Sequence, residues 1–175
     1  MRIYEGSPRQ DFEEVLRSIG AILDARALRE CLLLEVPEGF IVQGMSTEAE
    51  TGSLRSERMG HEAKVTLTFV DDDIARFLEE GRARRGSAPT TPDWARAGYY
   101  EKALRVVGRY LDGQRPRDIF FLEQDGAFVV RILPGGPVAG SHRIIEFTRE
   151  DIEDLIAKGP ALRAADDAAR DAGRA

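Results

Sequence analysis

The sequence predicts an α+β protein in which one unit, a helix, three antiparallel strands and a second helix, occurs twice. The first observation is a gapless alignment of residues 12–44 with residues 100–132, at an offset of 88. Eleven of these 33 pairs are identical, where unrelated segments give about two, so the alignment indicates a tandem duplication. The second observation is that the match resumes at an offset of 78, with four identities between residues 69–81 and 147–159. The third is a change in apolar spacing within each copy, from helical to alternating.

Each copy begins with an amphipathic helix. Apolar residues follow the i, i+3, i+4, i+7 spacing of one helix face. They are Phe12, Val15, Leu16, Ile19, Ile22 and Leu23 in the first copy and Tyr100, Leu104, Val107 and Leu111 in the second. Beside this face lies a strip of charged residues and glycine that both copies share, which we call the repeated helix strip. It comprises Glu13, Arg17, Gly20, Asp24, Glu101, Arg105, Gly108 and Asp112.

The repeated helix strip predicts close helix packing. Glu13 and Arg17 have the i, i+4 spacing of an ion pair within one helix. A glycine inside a helix costs about 1 kcal/mol relative to alanine, so Gly20 and Gly108 suggest that another backbone approaches closely. We interpret the strip as packing at a pseudo-twofold axis, with a ligand groove as the alternative.

Three strands follow the helix in each copy. The first two are rich in branched and aromatic residues, and turn sequences separate them. The third alternates in the manner of a half-buried strand. The strands are predicted at residues 31–35, 39–43 and 65–69 in the first copy and at residues 119–123, 127–131 and 143–147 in the second.

A second helix ends each copy. Ile74, Phe77 and Leu78 face inward in the first copy, and equivalent apolar residues begin at Ile152 in the second. Three aspartates, residues 71–73, stand where the strand becomes the helix. Carboxylates at this place cap free backbone N–H groups and complement the helix dipole. We therefore interpret them as helix caps rather than as a metal site.

These patterns divide the chain into a first repeat at residues 1–82, a linker at 83–97, a second repeat at 98–162 and a frayed or disordered tail at 163–175. A copy of about 70 residues buries too little apolar surface to be comfortably stable alone. We therefore expect the copies to pack as one body in a pseudo-twofold arrangement, as a fused ancestral homodimer would. The fold predicted for both is an antiparallel sheet with helices packed on one side.

Alternation along the strands assigns the two faces of the predicted sheet. If Leu32, Leu34, Phe40 and Val42 face the helices, their neighbours in sequence point to the other side. That side has an apolar centre with polar residues around it, and such a surface packs on something or binds something. Burial against the other copy or a second subunit, and a groove for a peptide or small ligand, both remain open. The candidate interaction surface is Leu33, Glu35, Ile41, Gln43, Phe121, Glu123, Val129 and Arg131.

Composition argues against several classes of function. The chain has 31 acidic and 25 basic residues and a net charge of -6. This balance argues against partners that are bound by neutralising phosphates, namely nucleic acids and anionic membranes. No stretch has the apolar length of a signal peptide or a membrane span. The sequence therefore predicts a soluble cytoplasmic protein.

The chain carries no recognisable catalytic, cofactor or metal motif. Phosphate-binding loops, nucleophile elbows and zinc-ligand spacings are missing from the sequence. The two histidines, His61 and His142, do not align under either offset. The single cysteine, Cys31, lies in an apolar run, which predicts a buried thiol. We predict no catalytic residue, no cofactor and no metal ligand.

The order of helix, three strands and helix is similar to the start of the small acidic secretion-chaperone fold. Members of that family pair such units about a twofold axis and bind extended partner segments, so the resemblance implies a protein partner. The favoured hypothesis is a non-enzymatic module that binds a protein, a peptide segment or a small ligand. It would be a monomer with an internal pseudo-dimer or a small homo-oligomer. The alternatives are a structural homo-oligomer and a small-molecule enzyme using Glu35 and Glu123, with a deep pocket beside one of them.

Overall fold

The computed structural model describes residues 11–46, 63–87, 94–134 and 143–172. Its first helix and three strands are α1 (Phe12–Ala25), β1 (Leu28–Val36), β2 (Gly39–Ser46) and β3 (Ala63–Val70). The next are α2 (Asp71–Ser87), α3 (Tyr99–Gln114), β4 (Pro116–Gln124) and β5 (Ala127–Pro134), followed by β6 (Arg143–Phe147) and α4 (Arg149–Ala172). The order helix, three strands, helix is therefore present twice.

The six strands form one antiparallel sheet in the order β3-β2-β1-β4-β5-β6. The predicted α+β class, an antiparallel sheet with helices packed on it, is confirmed, and the strands of both predicted units belong to this one sheet. They meet where β1 pairs with β4. Leu33 lies opposite Phe121 at the centre of that pair. The neighbouring pairs are Leu32 with Leu122 and Leu34 with Phe120.

Two-residue turns close both predicted hairpins. Between β4 and β5 the turn residues Asp125 and Gly126 have φ of 52° and 77°, the positive values that a type I′ hairpin turn requires. Between β1 and β2 the turn is Pro37-Glu38, followed by Gly39 with φ of 136°. A Cβ at Gly39 would stand 1.9 Å from the carbonyl oxygen of Phe69. Only glycine fits at that position, because the neighbouring strand passes too close.

Carboxylates cap the helices that follow β3 and β6, as the aspartates before α2 predict. At α2 the Val70 N–H donates to Asp73 Oδ2 at 3.1 Å. At α4 the Thr148 N–H donates to Asp151 Oδ2 at 2.9 Å, and the Asp151 N–H returns a 3.2 Å bond to Thr148 Oγ1. These reciprocal bonds make a capping box. Helix α4 then continues to Ala172, so residues 163–172 of the predicted tail are helical.

Helices α1, α2, α3 and α4 contribute to one hydrophobic core on one face of the sheet. Helices α1 and α3 lie over its centre, and α2 and α4 flank them at the two ends. The fully buried side chains of this core include Leu16, Ile19, Leu104 and Leu111 from α1 and α3, and Leu33, Phe40, Phe121 and Phe128 from the strands. The opposite face of the sheet carries no helix of the described residues.

The predicted faces of β1 and β4 are wrong by one residue. Leu33 and Phe121, expected on the far side, are each only 1% exposed and lie under the helices. The two-residue turn pairs Glu35 with Phe40 and Leu33 with Val42. Residues directly opposite one another share a face, so Leu33 and Glu35 join the core side with Phe40. The same geometry puts Phe121 and Glu123 there, while Ile41, Gln43, Val129 and Arg131 do point away from the helices.

Helices α1 and α3 run antiparallel with their backbones in contact. A Cβ on Gly20 would lie 2.4 Å from the carbonyl oxygen of Tyr100, and a Cβ on Gly108 would lie 2.4 Å from that of Phe12. Real Cβ atoms do not come so close, so both glycines are required by the packing. This is the close backbone approach that the two mid-helix glycines predict.

We expect Gly20→Ala to lower the free energy of unfolding by about 2 kcal/mol or more, because the added methyl group forces the two helices apart. Gly113→Ala is the matched control, since nothing lies within 4 Å of its Cβ. It should be neutral or stabilising by up to about 1 kcal/mol. Urea unfolding of both variants measures the difference, and equal effects would contradict the tight helix contact.

Candidate functional site

The charged residues of the repeated helix strip pair between the helices. Arg17 Nε donates to Glu101 Oε1 at 2.9 Å, and Arg105 Nε donates to Glu13 Oε1 at 3.1 Å. Arg17 also lies 3.8 Å from Glu14. The expected pair of Arg17 with Glu13 is therefore wrong, because the close approach of α3 offers Arg17 a carboxylate from the other helix.

The aspartates of the strip hold the first N–H groups of the opposite helix. Asp112 accepts from Phe12 N at 2.8 Å and from Glu13 N at 3.1 Å. Asp24 accepts from Tyr100 N at 3.0 Å and from Glu101 N at 2.9 Å. These N–H groups have no partner within their own helix. Each helix thus satisfies N–H groups at the other's N-terminus with the side chain of an aspartate.

Glu35 and Glu123 bind backbone N–H groups across the junction of β1 and β4. Glu35 Oε2 accepts from Ile119 N at 3.2 Å, and Glu123 Oε2 accepts from Cys31 N at 3.2 Å. Both N–H groups lie just beyond the three paired positions of the two strands. The carboxylates therefore complete the strand junction, which gives them a structural role on the helix side of the sheet.

Glu123 makes a second polar contact, with the side chain of Tyr100. The Tyr100 hydroxyl donates to Glu123 Oε2 at 2.7 Å. Burial, and then the charge of Glu123, raises the pKa of the Cys31 thiol to about 12. Burial and the bond to Glu123 raise the pKa of Tyr100 as well. Cys31, only 1% exposed, is therefore a protonated core residue as predicted, and thiolate chemistry is closed to it at neutral pH.

The face of the sheet opposite the helices, which we call the outer face, has an apolar centre. Arg131 lies over the ring of Phe120, with its guanidinium carbon 5.3 Å from the ring centroid. Ile144 is 72% exposed at the edge. The half-buried centre is Leu32, Leu34, Ile41, Phe120, Leu122 and Val129. Leu32, Leu34, Phe120 and Leu122 are absent from the predicted interaction surface, because alternation alone assigned the faces of β1 and β4 the wrong way round. The length of the hairpin turn is the signal in the sequence that identifies the correct face.

A cleft of about 340 Å³ opens between α1 and α2. We call it the α1–α2 cleft. Ile22 and Phe77 lie in it, and Arg17, Arg84 and Glu101 line it with charge. Its only residues in the repeated helix strip are Arg17 and Glu101, and nothing in the sequence pattern predicts a cavity here.

Comparison of the chain with protein-family models, curated proteins and solved structures finds no match. The similarity of the element order to secretion chaperones therefore stays a prediction. In the described part of the chain, no helix is both long and apolar enough to cross a membrane. His61, His142 and residues 88–93 of the predicted linker lie outside the described residues.

Asp112 is the carboxylate most affected by its surroundings. Burial, and then the charge of Asp11, raises its pKa from 3.8 to about 7, although the N–H groups of Glu13 and Phe12 act in the opposite direction. The side chains of Asp11 and Asp112 are also hydrogen-bonded to each other. Between these two pKa values the unfolded chain is ionised while the folded protein keeps the proton, so rising pH favours unfolding. This loss of stability is complete above about pH 7.

As the pH rises from about 5 to about 8, we expect the free energy of unfolding to fall less in Asp112→Asn than in the native protein. Asp11→Asn should weaken it too, because it removes the neighbouring charge. Urea unfolding at the two pH values measures the change for each variant. An unchanged dependence on pH in Asp112→Asn would contradict the assignment of the proton to this pair.

Proposed function

We propose that the chain is a non-enzymatic interaction module made of two fused copies of one helix–three-strand–helix unit. A pseudo-twofold axis would pass through the Leu33–Phe121 pair. The contacts between α1 and α3 and between β1 and β4 support this, because adding 88 to one residue, and subtracting 88 from its partner, converts one contact into another. Arg17–Glu101 becomes Arg105–Glu13 in this way. Self-complementary contacts of this kind are those of a symmetric dimer interface, which fusion of a homodimer would retain.

The outer face is the interaction surface in this proposal. The observation that carries it is an apolar centre on a sheet face that no described helix covers. Monomeric proteins rarely leave a large contiguous apolar patch in water, and such patches mark interaction sites. Ile41, Gln43, Val129 and Arg131 of the predicted interaction surface lie here, together with Leu34 and Phe120 at the centre.

The occupant that the outer face fits is a second copy of this chain. Six strands at about 4.8 Å and eight residues at about 3.3 Å give a face of about 29 Å by 26 Å. This area of about 750 Å² is close to the roughly 800 Å² that each partner contributes to a standard interface. Two antiparallel sheets can also stack face to face, as in β-sandwiches.

Charge supports the same occupant. Two copies that each carry a net charge of -6 repel one another unless the surfaces that meet are nearly neutral. The charged residues at outward register positions are Lys64, Asp118, Arg131 and Glu146, so the face itself has little net charge. The charged surfaces of α2 and α4 lie on the other side of the sheet.

Sedimentation measures this association directly. We expect the protein to sediment as a dimer of about twice 19.4 kDa as its concentration rises from about 5 to about 200 μM. Leu34→Lys with Leu122→Lys places two charges at the centre of the outer face and should give a monomer.

Leu162→Lys is the control, because Leu162 is a 37% exposed leucine on α4. It should leave the dimer intact. Near-ultraviolet circular dichroism verifies that all three proteins keep their tertiary packing. A monomeric native protein throughout this range would refute the proposed interface.

A further inference from the structure

The central part of the outer face carries its charge on one side only. Two rows of outward side chains cross all six strands, one through Leu34 and the other through Leu32. Among the residues of these two described rows, the charged ones are Arg131 on β5, in the row of Leu34, and Glu146 on β6, in the row of Leu32. Both are exposed. They lie on the half of the face that β4, β5 and β6 form, which we call the charged half.

The equivalent positions on β1, β2 and β3 are neutral. The offset of 88 relates the arginine to Gln43, and the offset of 78 relates the glutamate to Thr68. We call this side of the face the neutral half. The two remaining outward charges, Lys64 and Asp118, occupy register positions two residues beyond the rows, near the ends of β3 and β4. The difference between the halves therefore concerns the part of the face that a stacked sheet covers first.

Arg131 leaves water when a second sheet covers the outer face. It lies on β5, one strand in from the edge of the sheet. Its guanidinium carbon is 5.3 Å from the ring centroid of Phe120 on β4, so a cation–π contact holds the charge on the side away from β6. A buried charge without a partner is strongly unfavourable. A stacked copy must therefore bring a carboxylate to Arg131.

Two symmetric alignments place one outer face on another. A homodimer has a twofold axis, and stacked sheets keep their strands within about 30° of one another. The axis therefore runs either across the strands or along them. An axis across the strands puts each strand over the same strand of the other copy, so the two charged halves meet. An axis along the strands puts β3 over β6 and β2 over β5, so each charged half meets a neutral half.

The axis across the strands gives Arg131 its carboxylate. This axis exchanges the two rows, so Arg131 of one copy shares a row with Glu146 of the other copy, one strand away. With strands about 4.8 Å apart, sheets about 10 Å apart and rotations of up to about 30°, their Cα atoms are about 11 to 13 Å apart. Extended arginine and glutamate side chains bridge this distance. The symmetry forms the pair twice.

The axis along the strands brings no carboxylate to Arg131. Each row then meets the same row of the other copy, so Arg131 lies over Ile41 and Glu146 lies over Thr66. The cation nearest to the glutamate is Lys64 of the other copy, two residues further along β3. This alignment covers the charge of the arginine with an apolar side chain, which is the unfavourable case.

We propose that Arg131 and Glu146 determine how two copies align, the arginine of each copy pairing with the glutamate of the other about a twofold axis across the strands. The inference rests on the proposed outer-face dimer and adds the orientation of its two sheets. Charges of this kind act by making the wrong alignment costly as well as the right one favourable. The pairs therefore give the interface specificity, and the apolar centre gives it affinity.

Reversal of charge in separate variants tests the pairing. In the proposed alignment Arg131→Glu brings four carboxylates together, and Glu146→Arg brings four guanidinium groups together. Each variant alone should therefore self-associate at least about tenfold more weakly than the native protein. In an equimolar mixture of the two, each introduced glutamate meets an introduced arginine, and each remaining native arginine meets a native glutamate. The mixture should form heterodimers with a Kd within about threefold of the native value. Sedimentation of each variant and of the mixture measures these constants.

Lys64→Glu is the matched control. Lys64 is an exposed residue of the same face, and with the axis across the strands it stays far from Glu146 of the other copy. Its dimer should therefore keep a Kd within about threefold of the native value. With the axis along the strands the variant would place a carboxylate beside Glu146 and weaken the dimer, which would overturn the proposed alignment.

Mixing also separates pairing between copies from pairing within one chain. Each variant keeps two like charges in its own chain, so a pair within the chain stays broken in the mixture. A native dimer whose strength the mixture does not restore would overturn this inference and leave the outer-face interface standing. A monomeric native protein would overturn both. Near-ultraviolet circular dichroism verifies that each variant keeps its tertiary packing.

Discussion

The contact between α1 and α3 is the constraint on which the rest of the structure depends. Both helices carry glycine where the other backbone crosses, and this brings the main chains close enough for aspartates and glutamates of one helix to reach the other. Each helix then has its N-terminal N–H groups satisfied by a carboxylate of its partner. A methyl group at either glycine separates the helices, and the carboxylates lose their acceptor geometry together. The close contact at the glycines and the hydrogen bonds of the carboxylates therefore depend on each other.

The ion pairs in this interface specify geometry more than they add stability. Arg105 and Glu13 are 6% and 7% exposed, and taking two charges out of water costs about as much as their attraction returns. Their value is that any other alignment of the helices leaves a buried charge without a partner, which is strongly unfavourable. Glu35 and Glu123 act similarly in the sheet beneath the helices. Each accepts a hydrogen bond from a backbone N–H group of the other strand, just beyond the paired positions. Glu35 and Glu123, which the sequence offers as possible catalytic carboxylates, thus help to determine how the two halves align.

Local patterns in the sequence predict much of this fold. The helical spacing of apolar residues, the turn at Asp125-Gly126 and the paired glycines each have one strong structural interpretation, and the structure agrees with them. The faces of β1 and β4 could not be read from alternation, because Leu32, Leu33 and Leu34 are all apolar and either row could face the core. Only the turn length and the cross-strand register decide between them. The partner of Arg17 could not be predicted either. A pair within one helix at i, i+4 spacing and a pair between the two helices both use residues of the repeated helix strip. The α1–α2 cleft could not be predicted, because Ser18, Ala21 and Ile22, which line it, form no recognisable motif.

We expect that neither half folds by itself, because the helix N-termini and the strand junction of each half are completed by the other. Native-state hydrogen exchange of the full chain tests this most directly, since it measures the free energy of opening at each amide. We expect the amides of Tyr100 and Glu101, capped by α1, and those of Phe12 and Glu13, capped by α3, to exchange with the same opening free energy. The core amides of β2 and β5 should open together in the global transition. Opening of one half, β4 to α4 for example, at a clearly lower free energy than the other would show that the halves fold separately.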